Sequence, residues 1–174
     1  MPEASTVAVP AAGLPYFRPI SIRKVVILSL ATFGAYQIHW FYQNWWAVRL
    51  RGRFRVNPLW RSLLFFVFCY PLFLRIKSSA RALGVASGFR PICAGTICTV
   101  FALFWRLDET FWPTVILTTI PLVAAQREIN RLSAIVAPSV EPNDTFSRWQ
   151  VVGVTIGGLF FALALVGTVL MAQS

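Results

Sequence analysis

Trp149-Gln150-Val151-Val152-Gly153-Val154-Thr155-Ile156-Gly157-Gly158-Leu159-Phe160 opens a run that continues without an ionisable side chain to Ala172. A bilayer core selects such runs, because about 20 apolar residues wound as a helix cross roughly 30 Å of hydrocarbon with their backbone groups bonded internally. Four more apolar stretches lie upstream, at 25–48, 59–76, 91–105 and 111–125. The expected fold is therefore all-α, an integral membrane bundle of about five transmembrane helices. The third and fourth stretches are too short for simple spans and are expected to form a short helical hairpin, joined by Arg106-Leu107-Asp108-Glu109-Thr110.

Outside these stretches the chain is economical. Residues 1–20, rich in Ala and Pro at the start, are expected to be a flexible or extended N-terminal tail, and 21–174 a single transmembrane helical domain. Ser21 has the chemistry of an N-cap, and Gly34 marks a bend or a close helix contact. Pro91 and Pro113 fall at helix starts, whereas Pro71 and Pro121 are expected inside helices, where they would kink them. The segment 138–147, with Pro138, Pro142, Asn143 and Asp144, reads as a loop.

The composition points the same way: 57% of residues are hydrophobic, and the mean hydropathy is +0.65. The 16 Lys and Arg against 6 Asp and Glu give a net charge of +10. These cations are interspersed among apolar runs and do not form one basic face, which argues against nucleic acid as a partner. Anionic lipid headgroups and other membrane protein subunits are the expected partners. The distribution of cations favours a cytoplasmic N-terminus, and the expected location is the bacterial cytoplasmic (inner) membrane.

Three local patterns stand out. In Arg49-Leu50-Arg51-Gly52-Arg53-Phe54-Arg55 the arginines alternate, so an extended backbone would aim Arg49, Arg51, Arg53 and Arg55 one way, toward anionic lipid or an acidic partner. Gly153 and Gly157, then Gly158 and Ala162, are small residues four apart, a spacing that lets helix backbones approach closely. Trp40, Trp45, Trp46, Trp60, Trp105, Trp112 and Trp149 are candidate interfacial anchors, because an indole ring favours the headgroup level.

Signals for chemistry are sparse. His39, the single histidine, could ligate a haem iron or a pigment magnesium, with nearby aromatic rings flanking the macrocycle; the plainer reading is a hydrogen bond to Gln43. No cofactor is required by the sequence. Cys69, Cys93 and Cys98 read as free, buried thiols without metal-site spacing. The sequence holds no zinc-protease, serine-hydrolase or phosphate-loop motif, so the chain is expected not to be an enzyme.

Thr32-Phe33-Gly34-Ala35-Tyr36-Gln37-Ile38-His39-Trp40-Phe41-Tyr42-Gln43-Asn44-Trp45, with Pro58-Leu59-Trp60-Arg61 and Gln126-Arg127-Glu128-Ile129-Asn130, resembles a family of small uncharacterised bacterial multi-pass inner-membrane proteins. Their first span carries an F-G-x-Y-x-x-Y-W-F-Y-K-N-W-like segment. The resemblance implies the membrane fold and supplies no activity. His39 and Gln43 depart from it, standing where tyrosine and lysine are expected.

The functional expectation is a non-catalytic accessory or scaffolding subunit that packs against other subunits of a membrane complex, respiratory or photosynthetic. The alternatives are a small homo-oligomeric channel or transporter, with Pro71, Pro121 and their neighbouring threonines lining a pore, and a pigment- or haem-binding subunit acting through His39.

Overall fold

The computed structural model describes residues 15–51, 56–104 and 116–172, except the side chains at 161, 164, 165 and 168–172 in the last helix. These residues form seven helices: α1 (Ile22–Ala31), α2 (Ala35–Arg51), α3 (Pro58–Leu63), α4 (Phe65–Ala82), α5 (Pro91–Phe104), α6 (Thr119–Val136) and α7 (Arg148–Ala172). The all-α expectation is met among them. Extended pairing is limited to one isolated parallel bridge, between Ile20 and Asn143.

The helix boundaries follow local chemistry. Ser21 caps α1, its hydroxyl accepting from the Lys24 amide at 3.2 Å, which satisfies one of the first-turn donors that have no partner inside a helix. At the other end Phe33 (φ 49°) and Gly34 (φ 83°) turn left-handed. The Gly34 amide then bonds back to the Ser29 carbonyl at 2.9 Å, a C-terminal closure that needs this backbone. Asn57 caps α3 by accepting from Leu59 N at 3.0 Å, with Pro58 opening the helix. Pro121 is the third residue of α6, so the expected interior kink is replaced by a first-turn proline, where no intrahelical bond is lost.

The core gathers on α2, α4 and α6. Trp40, Phe41 and Trp45 meet Leu72, Phe73 and Ile76, with Leu122, Ile129 and Leu132 packing from α6, all of them fully buried. Within α2 the Trp40 and Phe41 rings lie 5.1 Å apart and near perpendicular. The rings of Phe73 and Phe89 repeat that geometry at 5.7 Å. Between α4 and α5 the approach is close at Gly95, where an added Cβ would lie 2.6 Å from the Tyr70 ring. Cys69 Sγ donates there to the Gly95 carbonyl at 3.7 Å.

The expectation of five membrane-spanning helices is corrected: among the described residues no helix is both long and apolar enough to cross a membrane. The physical reason is that hydropathy does not register helix breaks. The stretch 25–48 is cut at Phe33-Gly34 into helices of 10 and 17 residues, the second diluted by Gln37, His39, Gln43 and Asn44. The stretch 59–76 is cut at Leu64. α5 has 14 residues, or roughly 21 Å at 1.5 Å per residue. α6 carries Arg127, Glu128 and Arg131 along its length, and the turn expected to join it to α5 as a hairpin lies outside the described residues. In α7, of 25 residues, the side chains at 161, 164, 165 and 168–172 lie outside the described residues, and the described remainder is not a complete span. The transmembrane bundle, the inner-membrane location and the multi-pass family resemblance fall with this finding.

Candidate docking surface

α7 is joined to the rest of the fold along one stripe. Val154 packs against the core, and Gly157 lies directly over α1, where a Cβ would come within 1.6 Å of the Ala31 carbonyl oxygen. Only glycine permits this crossing. Gly153 and Gly158 have open space around a built Cβ, and Ala162 is exposed. Of the four small residues singled out in the sequence, Gly157 is the one in close contact within this chain.

The opposite side of α7 is apolar and exposed. Val152, Ile156, Leu159, Leu163 and Val166 follow a 4-3-4-3 spacing, the seam pattern of paired helices, and are between 48% and 64% exposed. In the sequence the spacing continues to Leu170. Phe160 flanks the stripe, and Trp149 stands at its start, both exposed.

What orients this helix is a polar clasp that the sequence reading did not find. The Ser21 amide donates to the Asn143 carbonyl at 3.1 Å, and the Asn143 amide donates to the Pro19 carbonyl at 3.1 Å. Lys24 Nζ donates to Asn143 Oδ1 at 3.1 Å and to the Thr145 carbonyl at 2.5 Å, 5.6 Å from the centre of the Phe146 ring. Burial pulls the Lys24 ammonium below its usual pKa; Asp144 opposes this and Arg18 adds to it. The Ser21 hydroxyl also bonds Asp144. The loop before α7 is thereby fixed to the segment before α1.

That segment is tied in turn to α6. Buried Gln126 accepts from Trp40 Nε1 at 2.6 Å and donates to the Arg18 carbonyl at 3.1 Å and to Asn130 Oδ1 at 2.8 Å. Asn130 Nδ2 donates to the Ile20 carbonyl at 2.7 Å, while Asn130 Oδ1 also accepts from the Ile20 amide at 3.2 Å. Tyr16, Phe17 and Ile20, expected in a loose tail, are buried. The first fourteen residues of that tail lie outside the described residues.

The remaining candidates fall elsewhere. Trp40 and Trp45 are buried in the core, whereas Trp46, Trp60 and Trp149 are exposed; Trp105 and Trp112 lie outside the described residues, as do Arg53 and Arg55. Arg49 and Arg51 belong to the last turn of α2, so at these two positions the backbone is helical and not an extended arginine strip. Arg49 rests on the Trp46 ring at 5.3 Å and Arg51 on the Tyr16 ring at 5.5 Å, where burial brings the Arg51 guanidinium down to about 10. Arg61 stacks over Trp45 at 4.3 Å. Lys77 holds the Phe89 carbonyl at 3.0 Å, and Arg131 the Ala86 carbonyl.

The partner expectation is corrected on this ground: several cations assigned to anionic headgroups close contacts inside the chain, and among the described residues no helix long and apolar enough to cross a membrane presents them to lipid or to membrane subunits. The accessory-subunit and channel readings lose their basis with it. The haem or pigment reading is corrected as well. His39 Nε2 lies against the Gln43 side-chain amide, and the membrane setting that the pigment role assumed is not found among the described residues.

Among the described residues no group of three or more His, Cys, Asp or Glu side chains is arranged to hold a metal. Cys69, Cys93 and Cys98 are free, and Cys93 is exposed where a buried thiol was expected. The neighbouring Cys69 sulfur and burial push the Cys98 thiol well above its ordinary range. No protein family, curated protein or solved structure matches this chain.

Proposed function

We propose that the chain is a non-catalytic docking module that pairs with a second copy of itself through α7. The observation that carries this reading is the exposed 4-3 apolar seam on a helix whose other side is fixed to α1. Contiguous exposed apolar surface of this extent marks an interaction site on a folded protein. A second copy suits it because the seam is self-complementary: a net charge of +10 would set two copies against each other on most faces, yet 149–172 contains no ionisable residue. The clasp supports the reading further, since a helix held at its root loses less freedom when it docks.

Sedimentation of the intact chain tests the proposal. A dimer is expected, and Leu159→Glu is expected to weaken it by at least about a hundredfold. Each copy then loses about 1.5–3 kcal/mol of apolar burial and leaves a carboxylate at the seam. A monomer at high protein concentration, or a dimer indifferent to Leu159→Glu, overturns it.

A further inference from the structure

Gly157 divides α7 into a held half and an overhanging half. At the start of α1, Ser21 bonds to Asn143 and Lys24 to Thr145, whereas Gly157 lies over Ala31, the last residue of that helix. The two helices therefore run side by side in the same direction. Past the end of α1, α7 continues for about 15 residues, or roughly 22 Å at 1.5 Å per residue. In this arm Leu159, Phe160, Ala162, Leu163 and Val166 are all exposed. A helix of that length is marginal in water when nothing packs against it.

The seam residues, the charge and the helix ends each bear on how two copies meet. Counted in heptads, the 4-3 seam puts Ile156 and Leu163 at a, and Val152, Leu159 and Val166 at d. A parallel pair favours β-branched residues at a and leucine at d; Val152, Val166 and Leu163 reverse that preference. Every Lys, Arg, Asp and Glu lies at or before Arg148, so the net charge of +10 belongs to the chain that precedes the seam. A parallel pair brings the two charged bodies to the same end. An antiparallel pair moves their points of attachment about 30 Å apart along the axis, several times the Debye length of about 8 Å at physiological salt. Arg148 stands in the first turn of α7, the unfavourable end of its own helix for a cation. An antiparallel partner sets its last turn, with the free carbonyls, beside it.

Given the pairing proposed above, we infer that the two α7 helices pack antiparallel about a midpoint near residue 161, the arm of each copy lying along the clasped half of the other. Positions 156 and 166 then face each other, as do 159 and 163, and each a residue opposes a d residue. The overhanging arm gains a helix already fixed by Lys24 and Gly157, a docking surface with little freedom left to lose.

Oxidative cross-linking of the intact chain tests the orientation, in a Cys93→Ser background that removes the exposed native thiol. Ile156→Cys and Val166→Cys, both at exposed positions, are oxidised separately and after mixing from the dissociated state, with sedimentation of each sample. In the antiparallel pair two copies of residue 156, or of residue 166, stand about 15 Å apart along the axis, too far for a disulfide. Cross-linked dimer is therefore expected only from the mixture, as the 156–166 disulfide. A dimer that cross-links within either variant alone, a dimer that cross-links in none of the samples, or a tetramer overturns the orientation and leaves self-association through α7 standing. A monomer overturns both.

Discussion

Gln126 is the residue on which most of the internal polar chemistry converges, joining α2, α6 and the segment before α1 through three side-chain hydrogen bonds. Gln126→Leu keeps the volume but leaves the buried Trp40 indole N–H and the Arg18 carbonyl unpaired, so a loss of about 2–4 kcal/mol in urea unfolding is expected. The sequence places Gln126 plainly on the apolar stripe of α6, between Leu122 and Ile129. Its partner Trp40 is 86 positions away, and a contact at that range leaves no local mark. His39 gives a prediction in pH. Burial, with Arg18 and then Lys24 adding to it, holds the imidazole below its ordinary 6.5. The unfolded chain therefore takes up the proton first, and the histidine's share of stability, whole above about pH 6.5, is lost as the pH falls from there toward the folded value. Melting temperatures measured from pH 8 to pH 5 should fall less steeply in His39→Gln. The thiols divide by access rather than by spacing: native protein should label with one fast equivalent of a thiol reagent, and Cys93→Ser should remove it, because Cys69 and Cys98 are buried.

Some helix starts are marked in the sequence. Ser21 before α1, Asn57-Pro58 at α3 and Pro91 at α5 are capping signals that act within one turn, and each is found at a helix start. Gly34 was legible for the same reason, since a left-handed residue in mid-run favours glycine. The break at Leu64 was not, because Leu63-Leu64-Phe65 contains no punctuating residue, and the chain turns there only as α3 packs on α2 and α4 on α5. At α7 two neighbouring glycines separate packing from propensity. Gly157→Ala must move α7 off the Ala31 carbonyl and should cost about 1–3 kcal/mol. Gly158→Ala enters open space and should stabilise the helix by about 0.5–1 kcal/mol. Thermal unfolding of the two variants side by side checks both, and equal shifts would contradict the crossing at Gly157.

For the whole molecule, composition gave the right class of secondary structure, but the membrane-crossing helices it suggested are not found among the described residues. Hydropathy averaged over a window sums side chains without regard to where the backbone turns, so 25–48 scored as one element although it is divided between two helices at Phe33-Gly34. The cations misled in a similar way. Lys24, Arg51, Arg61 and Lys77 looked like surface charge because their acceptors are ring faces and backbone carbonyls, which no sequence pattern displays. The paired-helix reading of α7 belongs at this scale, because its sedimentation test reports on the assembled chain and not on a single contact. The bond between Ser21 and Asp144 joins positions 123 residues apart. A growing polypeptide emerges from its N-terminus, so Pro19 and Ser21 must wait through most of synthesis before Asn143 arrives to meet them. Until then the backbone groups of Pro19 and Ser21 lack these partners, and a ribosome stalled anywhere before residue 143 holds a chain whose first helix is not yet tied to the loop that orients α7.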